Sequence, residues 1–306
     1  MPGRIIEIGE KCRYLSLKRG FMVISHRGEE LARVPLDDLA AVIATGHGTT
    51  HSSNLLVALA ERGVPFVLCA DNHLPVGMLL SVDGHYHQAK RIDAQIASHL
   101  PQRKRLWQSL VKAKLTMQAA ALRSLGQPHA PLTALLDKVR SGDPDNIEAQ
   151  GARRYWSLLF GSEFRRDRSG DDHNKQLNYG YTILRSAVAR CVIAAGLHPS
   201  LGLHHHNNYN SMRLVDDLIE PFRPLVDLRV YALVQVKQFS LDSDSKRQLA
   251  RLLFHDLETK AGTTPVISCL QRLAVSLAQY YLGECRTLDL PLQKPLPDLT
   301  AFARIT

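Results

Sequence analysis

Leu106-Trp107-Gln108-Ser109-Leu110-Val111-Lys112-Ala113-Lys114-Leu115-Thr116-Met117-Gln118-Ala119-Ala120-Ala121-Leu122-Arg123-Ser124-Leu125 reads as a long helix. Apolar residues return every three or four positions, and Gly126 closes the run. C-terminal to it the same period recurs over residues 146–160, 174–195, 214–219, 245–260 and 265–282. Gly196 and Pro199 stop the second of these, and Pro221 sits just beyond the third. Residues 126–131 and 141–144 read as loops, and residues 290–297 as an extended tail.

N-terminal to the long helix the period is two. Residues 4–8, 13–17, 21–25, 39–44 and 64–69 are short, apolar or alternating runs, with turn signals at Gly20 and over residues 27–30. One helix is expected over 52–62, with Ser52 or Ser53 as N-cap and Gly63 as stop. The expectation is an α+β fold: a small N-terminal β-rich domain, residues 1–84, as a compact antiparallel arrangement. A larger all-α C-terminal domain, residues 85–306, follows.

Hydrophobic residues make up 45% of the 306, enough for a substantial core. Lys and Arg number 38 against 29 Asp and Glu, so the chain carries +9. That excess favours an anionic partner, DNA or RNA before a membrane surface. Arg103-Lys104-Arg105 and Arg165-Arg166-Asp167-Arg168 are basic clusters that grip phosphates or keep helices soluble. The five cysteines, Cys12, Cys69, Cys191, Cys269 and Cys285, lack C-x-x-C spacing, so free thiols are expected rather than disulfides or zinc. No signal core or membrane-length apolar run is present, and a cytoplasmic protein is expected.

The chemistry concentrates in two neighbouring runs, Leu203-His204-His205-His206-Asn207 and Asp216-Asp217-Leu218-Ile219-Glu220-Pro221-Phe222-Arg223-Pro224. Asp216 or Asp217 shares a helical face with Glu220, and carboxylates that close repel unless a cation lies between them. Spacing alone equally fits a solvated acidic face capped by Arg223. A single imidazole with hard oxygen ligands suits Mn²⁺ or Mg²⁺ better than zinc. Glu148, at the start of the 146–160 helix, is a third donor; near a helix N-terminus it also favours the dipole. That helix buries Trp156 and Leu159 by its period. The loop Gly46-His47-Gly48-Thr49-Thr50-His51 is no phosphate-binding loop, because Gly-Lys-Ser/Thr does not follow.

Taken in order, these motifs resemble the CRISPR-associated endonuclease and spacer-acquisition integrase family over nearly the whole chain. Val34-Pro35-Leu36-Asp37-Asp38-Leu39-Ala40 is similar to its β-domain, and Leu177-Asn178-Tyr179-Gly180-Tyr181 to its central helix. Glu148-Ala149-Gln150-Gly151-Ala152-Arg153-Arg154-Tyr155-Trp156 resembles the segment with the first metal-binding glutamate. Gly196 to His205 resembles its histidine motif, and Asp216 to Pro224 its acidic motif. The His-His-x-Asn run and the Glu-Pro-Phe-Arg-Pro ending look most like type II members. Several relatives carry Asp where this chain has Glu220.

The resemblance implies Glu148, His205 and Glu220 as catalytic metal ligands for Mg²⁺ or Mn²⁺. It makes Asp217 the supporting acid, with Asp216 beside it as the alternative. It implies insertion of captured DNA into a CRISPR array by attack of a 3′-hydroxyl on a repeat phosphodiester. It also implies double-stranded DNA (prespacer and CRISPR repeat), a homodimer formed through the β-rich domain, and a small ferredoxin-like CRISPR partner protein completing a heterohexamer. In type II systems the effector nuclease joins. Competing readings are a general metal-dependent DNA nuclease acting on branched repair intermediates, a catalytically silent DNA-binding scaffold, and a hydrolase of small phosphoesters.

Overall fold

The computed structural model describes residues 4–70, 75–167, 170, 173–259 and 262–291. The N-terminal part runs β1 (Arg4–Ile8), β2 (Tyr14–Lys18), β3 (Phe21–His26), β4 (Glu29–Pro35), β5 (Leu39–Ala44), β6 (Thr50–His51), α1 (Ser53–Glu61), β7 (Phe66–Cys69) and β8 (Pro75–Leu79). The C-terminal part runs α2 (Gln88–Ile96), α3 (Leu100–Ser124), α4 (Ala130–Thr133), α5 (Ile147–Phe160), α6 (His173–Ala194), α7 (Arg213–Ile219), α8 (Arg223–Gln235), α9 (Ser243–Arg251), β9 (Asp256–Thr259), β10 (Gly262–Pro265) and α10 (Val266–Tyr281). Sheets therefore precede a mostly helical region, as the sequence patterns predict.

The N-terminal strands form two sheets, not one antiparallel arrangement. In the first, β4, β3 and β2 make an antiparallel meander and β6 adds to β2 in parallel. Its turns, Arg19-Gly20 and Arg27-Gly28, hold both central residues at positive φ, the two-residue hairpin geometry that matches strand twist. The second runs β1-β5-β7-β8; its first two pairings are parallel and the last antiparallel. Its central strand β5, Leu-Ala-Ala-Val-Ile-Ala, is buried at all six positions. A strand covered on both faces needs a continuous apolar run, and that composition favours the parallel setting over an alternating hairpin.

Leu15, Met22, Leu39, Val42, Leu55 and Leu59 lie in a core shared by the two sheets and α1. Ile43 of β5 and Val67 of β7 instead join the helical core. Arg190 of α6 donates to the carbonyls of Leu39 and Ala40 on β5. Glu7 of β1 accepts from Thr45 (2.7 Å), Tyr179 of α6 (2.9 Å) and Lys246 of α9 (2.7 Å). The β-rich and helical parts are thus joined by packing and by a polar clamp.

In the helical region α6 is the axle, packed by α7, α8, α9 and α10. The expected helix over 245–260 is not one element. It ends at Arg251, tightens into a 3₁₀ turn (Leu252–Phe254), and the chain leaves as β9 to pair antiparallel with β10. Leu249, Leu252, Leu253 and Leu257 are all buried at near-helical spacing, which imitates a continued helix. Trp156 is only half-buried; Tyr155 is the buried aromatic of α5. All five cysteines are free. Arg168 and the tail from residue 292 onward lie outside the described residues. Among the described residues no helix is long and apolar enough to cross a membrane.

Candidate active site

The site begins where α3 meets α5. Asp143 accepts hydrogen bonds from the backbone N–H groups of Ile147 and Glu148 (both 2.9 Å), and the Asn146 side chain accepts from Ala149 N. These satisfy donors that the first turn of a helix leaves unpaired. They fix the place from which Glu148 projects. Gly151, one turn on, lets the helices close: a Cβ there would lie 2.2 Å from Leu115 Cδ2. At this seam the Lys114 ammonium donates to Glu148 Oε1 at 2.6 Å.

Glu220 reaches the same ammonium from the other side. α7 ends at Ile219 because Pro221 has no N–H to continue the ladder. Glu220–Phe222 form a 3₁₀ turn that packs on α3, with α8 directly behind it. Glu220 is 3% exposed. Its Oε1 accepts from Arg223 Nη1 at 2.8 Å, and its Oε2 makes an ion contact with Lys114. Oε2 is buried, and the Lys114 ammonium is the cation that faces it. Burial would raise the Glu220 carboxyl, but Arg223 and Lys114 outweigh it and hold it well below the usual range. Lys114 shows the reciprocal balance: burial opposes its charge, and Glu220 and Glu148 overcome that and raise its pKa.

Asp217, fully buried, organises the histidine loop. Its Oδ2 accepts from the backbone N–H groups of Leu203 (2.6 Å) and His204 (3.2 Å); its Oδ1 accepts from His205 N (3.3 Å) and pairs with His205 Nδ1 (2.7 Å). The loop can wrap this closely because residue 202 is glycine: a Cβ there would stand 3.0 Å from Asp217 Oδ2 and 2.7 Å from Arg213 Cβ. The hydrogen bond to Asp217 is the main reason the His205 pKa is raised. Trp107 of α3 backs the loop, stacked parallel on His204 at 4.3 Å and edge-on to His205 at 5.9 Å. Asp216 lines the same cleft as His205 but is paired with Arg185 (2.7 and 3.1 Å) and with Asn210 (2.7 Å).

His205 and Glu220 lie on the wall of a cleft of about 530 Å³, together with Arg166, Arg185 and Arg223. Arg223 also lies over the Tyr181 ring at 4.2 Å, and the Tyr181 hydroxyl donates to Asp227. Burial raises the Asp227 carboxyl to about 6, even with that hydrogen bond and Arg223 pulling it down.

A family model described as CRISPR associated protein Cas1 matches residues 7–262. The chain belongs to the Cas1 family. It is 35% identical over 287 residues to the CRISPR-associated endonuclease Cas1 of Neisseria meningitidis serogroup C (strain 8013), across 92% of this chain and 93% of that one. Among solved structures it is similar to a casposase bound to integration product, with TM-score 0.81 and 18% identity over 97% of this chain and 95% of the casposase. It is also similar to a Cas1 protein from Thermotoga maritima, with TM-score 0.76 and 16% identity over 92% and 98% of the two chains. At these identities the structural likeness speaks for the fold.

In this Cas1 family member the acidic run is no solvated face. Asp217 and Glu220 are buried, although Arg223 does pair with Glu220. Glu148 and Glu220 converge on one ammonium, and His205 stands near enough for the Glu220 charge to raise its pKa. Among the described residues no three His, Cys, Asp or Glu side chains stand as a ready metal cluster. The donors nevertheless suit a hard divalent cation: two carboxylates that already share one cation, and one imidazole. Sequence reasoning passed over Lys114 and Trp107, which sit in the opening helix as ordinary members of its pattern. A cationic residue on the otherwise buried face of α3 was the available signal for Lys114. Arg166 of the second basic cluster reaches the cleft, whereas Lys104, Arg105 and Arg165 are exposed.

Proposed function

We propose that this chain is a metal-dependent DNA endonuclease and integrase that inserts captured foreign DNA as spacers into a CRISPR array. One observation carries the reading: Glu148 and Glu220, from separate elements, converge on Lys114, and Glu220 shares the wall of an arginine-lined cleft with His205. Glu148, His205 and Glu220 would hold Mg²⁺ or Mn²⁺. Bound there, the ion supplies charge neutralisation at the phosphate and acidification of the attacking hydroxyl.

The chain's own residues prepare that chemistry. Asp217, as a carboxylate, accepts the Nδ1–H of His205, so Nε2 is the ring nitrogen that would face the ion. Arg223 keeps Glu220 ionised despite its burial. Arg166 and Arg185, held by Asn174, Asn178 and Asp216, place positive charge on the cleft wall for the DNA backbone. The 3′-oxygen of the captured fragment forms a new bond to the repeat phosphorus as the bond to the leaving oxygen breaks. The proton lost from the attacking hydroxyl is balanced by one gained at the leaving oxygen. Water in place of the hydroxyl gives the nuclease reaction.

Residues 1–84 would form the homodimer interface. A small ferredoxin-like CRISPR partner would complete a heterohexamer, and a type II effector nuclease would join during acquisition. The test is strand transfer of a labelled fragment into a repeat-containing plasmid. Glu148→Ala and His205→Ala should each lose on the order of 10²- to 10⁴-fold in rate while duplex binding holds. Full strand transfer in either variant would remove that residue from the chemistry. Cleavage of branched DNA by the unaltered chain with no strand transfer would favour a repair nuclease instead.

A further inference from the structure

Lys114 occupies the position between the two carboxylates. Its ammonium is bonded to Glu148 Oε1 at 2.6 Å and in ion contact with Glu220 Oε2, and its side chain is 9% exposed. Two carboxylates this close repel strongly in a buried setting, and a single cation between them removes most of that cost. Glu220 has a second cation in Arg223, but Arg223 binds the opposite oxygen and leaves the space facing Glu148 to Lys114.

We propose that Lys114 is a built-in counter-ion that holds Glu148 and Glu220 together until a divalent cation displaces it. The inference rests on the metal-dependent reading above. Lysine suits the role because its ammonium is a compact charge on a flexible stem, free to withdraw without moving α3. An acceptor is available one turn along the same helix face. Gln118 is 3% exposed, and its Oε1 has no hydrogen-bond donor among the described residues. It lies at the same α3–α5 seam, 3.7 Å from where a Cβ on Gly151 would stand. Lys114 thus stabilises the metal-free chain and opposes the ion, so that cation affinity is set by a competition inside the protein.

Mn²⁺ binding followed by calorimetry, with melting temperature measured in EDTA and in excess Mn²⁺, tests this. Lys114→Met should bind Mn²⁺ at least about tenfold more tightly than the unaltered chain, because a positive charge no longer opposes the ion. It should also melt lower in EDTA and recover most of the loss in Mn²⁺. Lys114→Arg, which keeps the charge, should show no gain in affinity. Unchanged or weaker Mn²⁺ binding by a folded Lys114→Met chain overturns the proposal. His205→Ala separates the two ideas. If it loses Mn²⁺ but Lys114→Met gains nothing, only the counter-ion role falls; if it binds Mn²⁺ as before, the metal reading falls and this inference with it. Should Lys114→Met not fold even with Mn²⁺, crystals of the unaltered chain soaked in Mn²⁺ decide. Nζ withdrawn from Glu220 supports the proposal, and Nζ still between both carboxylates beside a bound ion overturns it.

Discussion

Asp217 holds His205 twice, through the ring Nδ1 at 2.7 Å and through the backbone N–H at 3.3 Å, from a position with no solvent exposure. Adjacent Asp216 is committed to Arg185 and Asn210. Neighbouring positions on a helix point about 100° apart, so two acids that look equivalent in sequence face different partners. If His205 binds the ion through Nε2, Asp217 sets its tautomer and orientation.

Asp217→Asn should therefore lower strand transfer and Mn²⁺ affinity by roughly 10- to 100-fold, the usual effect of removing the partner that orients a metal-binding histidine. Asp216→Asn should leave Mn²⁺ affinity within about twofold, since it touches neither His205 nor Glu220. Calorimetry on the two variants checks the contrast, and equal losses would contradict it.

Asp227 gives a pH signature from a group that is not itself a proposed metal ligand. Its carboxyl is raised to about 6, so the protonated form favours the fold. For a folded pKa above the unfolded one, the stabilising contribution is complete below about pH 4 and is lost as pH rises through about 6. Asp227→Asn, which can still accept from Tyr181, should match the unaltered chain near pH 4 and exceed its stability by about 3 kcal/mol above pH 6. Urea denaturation of both proteins across this range reads the difference, in which the other titrating groups cancel. A difference flat with pH would refute it.

Trp107 packs the histidine loop against α3, its ring parallel to His204. Trp107→Leu keeps an apolar side chain but ends the stack and opens a cavity, and should cost about 2–4 kcal/mol. It should also weaken Mn²⁺ binding, because His205 loses its edge contact. Trp107→Phe should restore most of both. Thermal melts with and without Mn²⁺ check the order; a Leu variant with unchanged metal binding would free Trp107 from any role in the loop.

The legible parts of this fold were those where local pattern and tertiary setting agree. The all-apolar run of β5, the Ser52-capped α1, and α3, α5, α6 and α10 all fall within a few residues of their expected bounds, apart from the start of α3 at Leu100. The β9–β10 ribbon was hidden by buried leucines at helical spacing, and α8 by Pro221 and Pro224, which permit a helix start as readily as they end one. Glu148, His205 and Glu220 could be singled out by residue type and resemblance. The meeting of Glu148 and Glu220 at Lys114 could not be, because it depends on how closely α3 and α5 pack at Gly151 and on the 3₁₀ turn at Pro221. A lysine on an amphipathic helix reads as solvent-facing until its partners are known.

The central claim is that Glu148, His205 and Glu220 close around one divalent cation at this cleft. Anomalous diffraction from Mn²⁺-soaked crystals tests it most directly. The account predicts a single manganese peak within about 2.0–2.6 Å of His205 Nε2 and of oxygens from both glutamates. A peak elsewhere, or none at saturating Mn²⁺ with the three side chains still ordered, would contradict it.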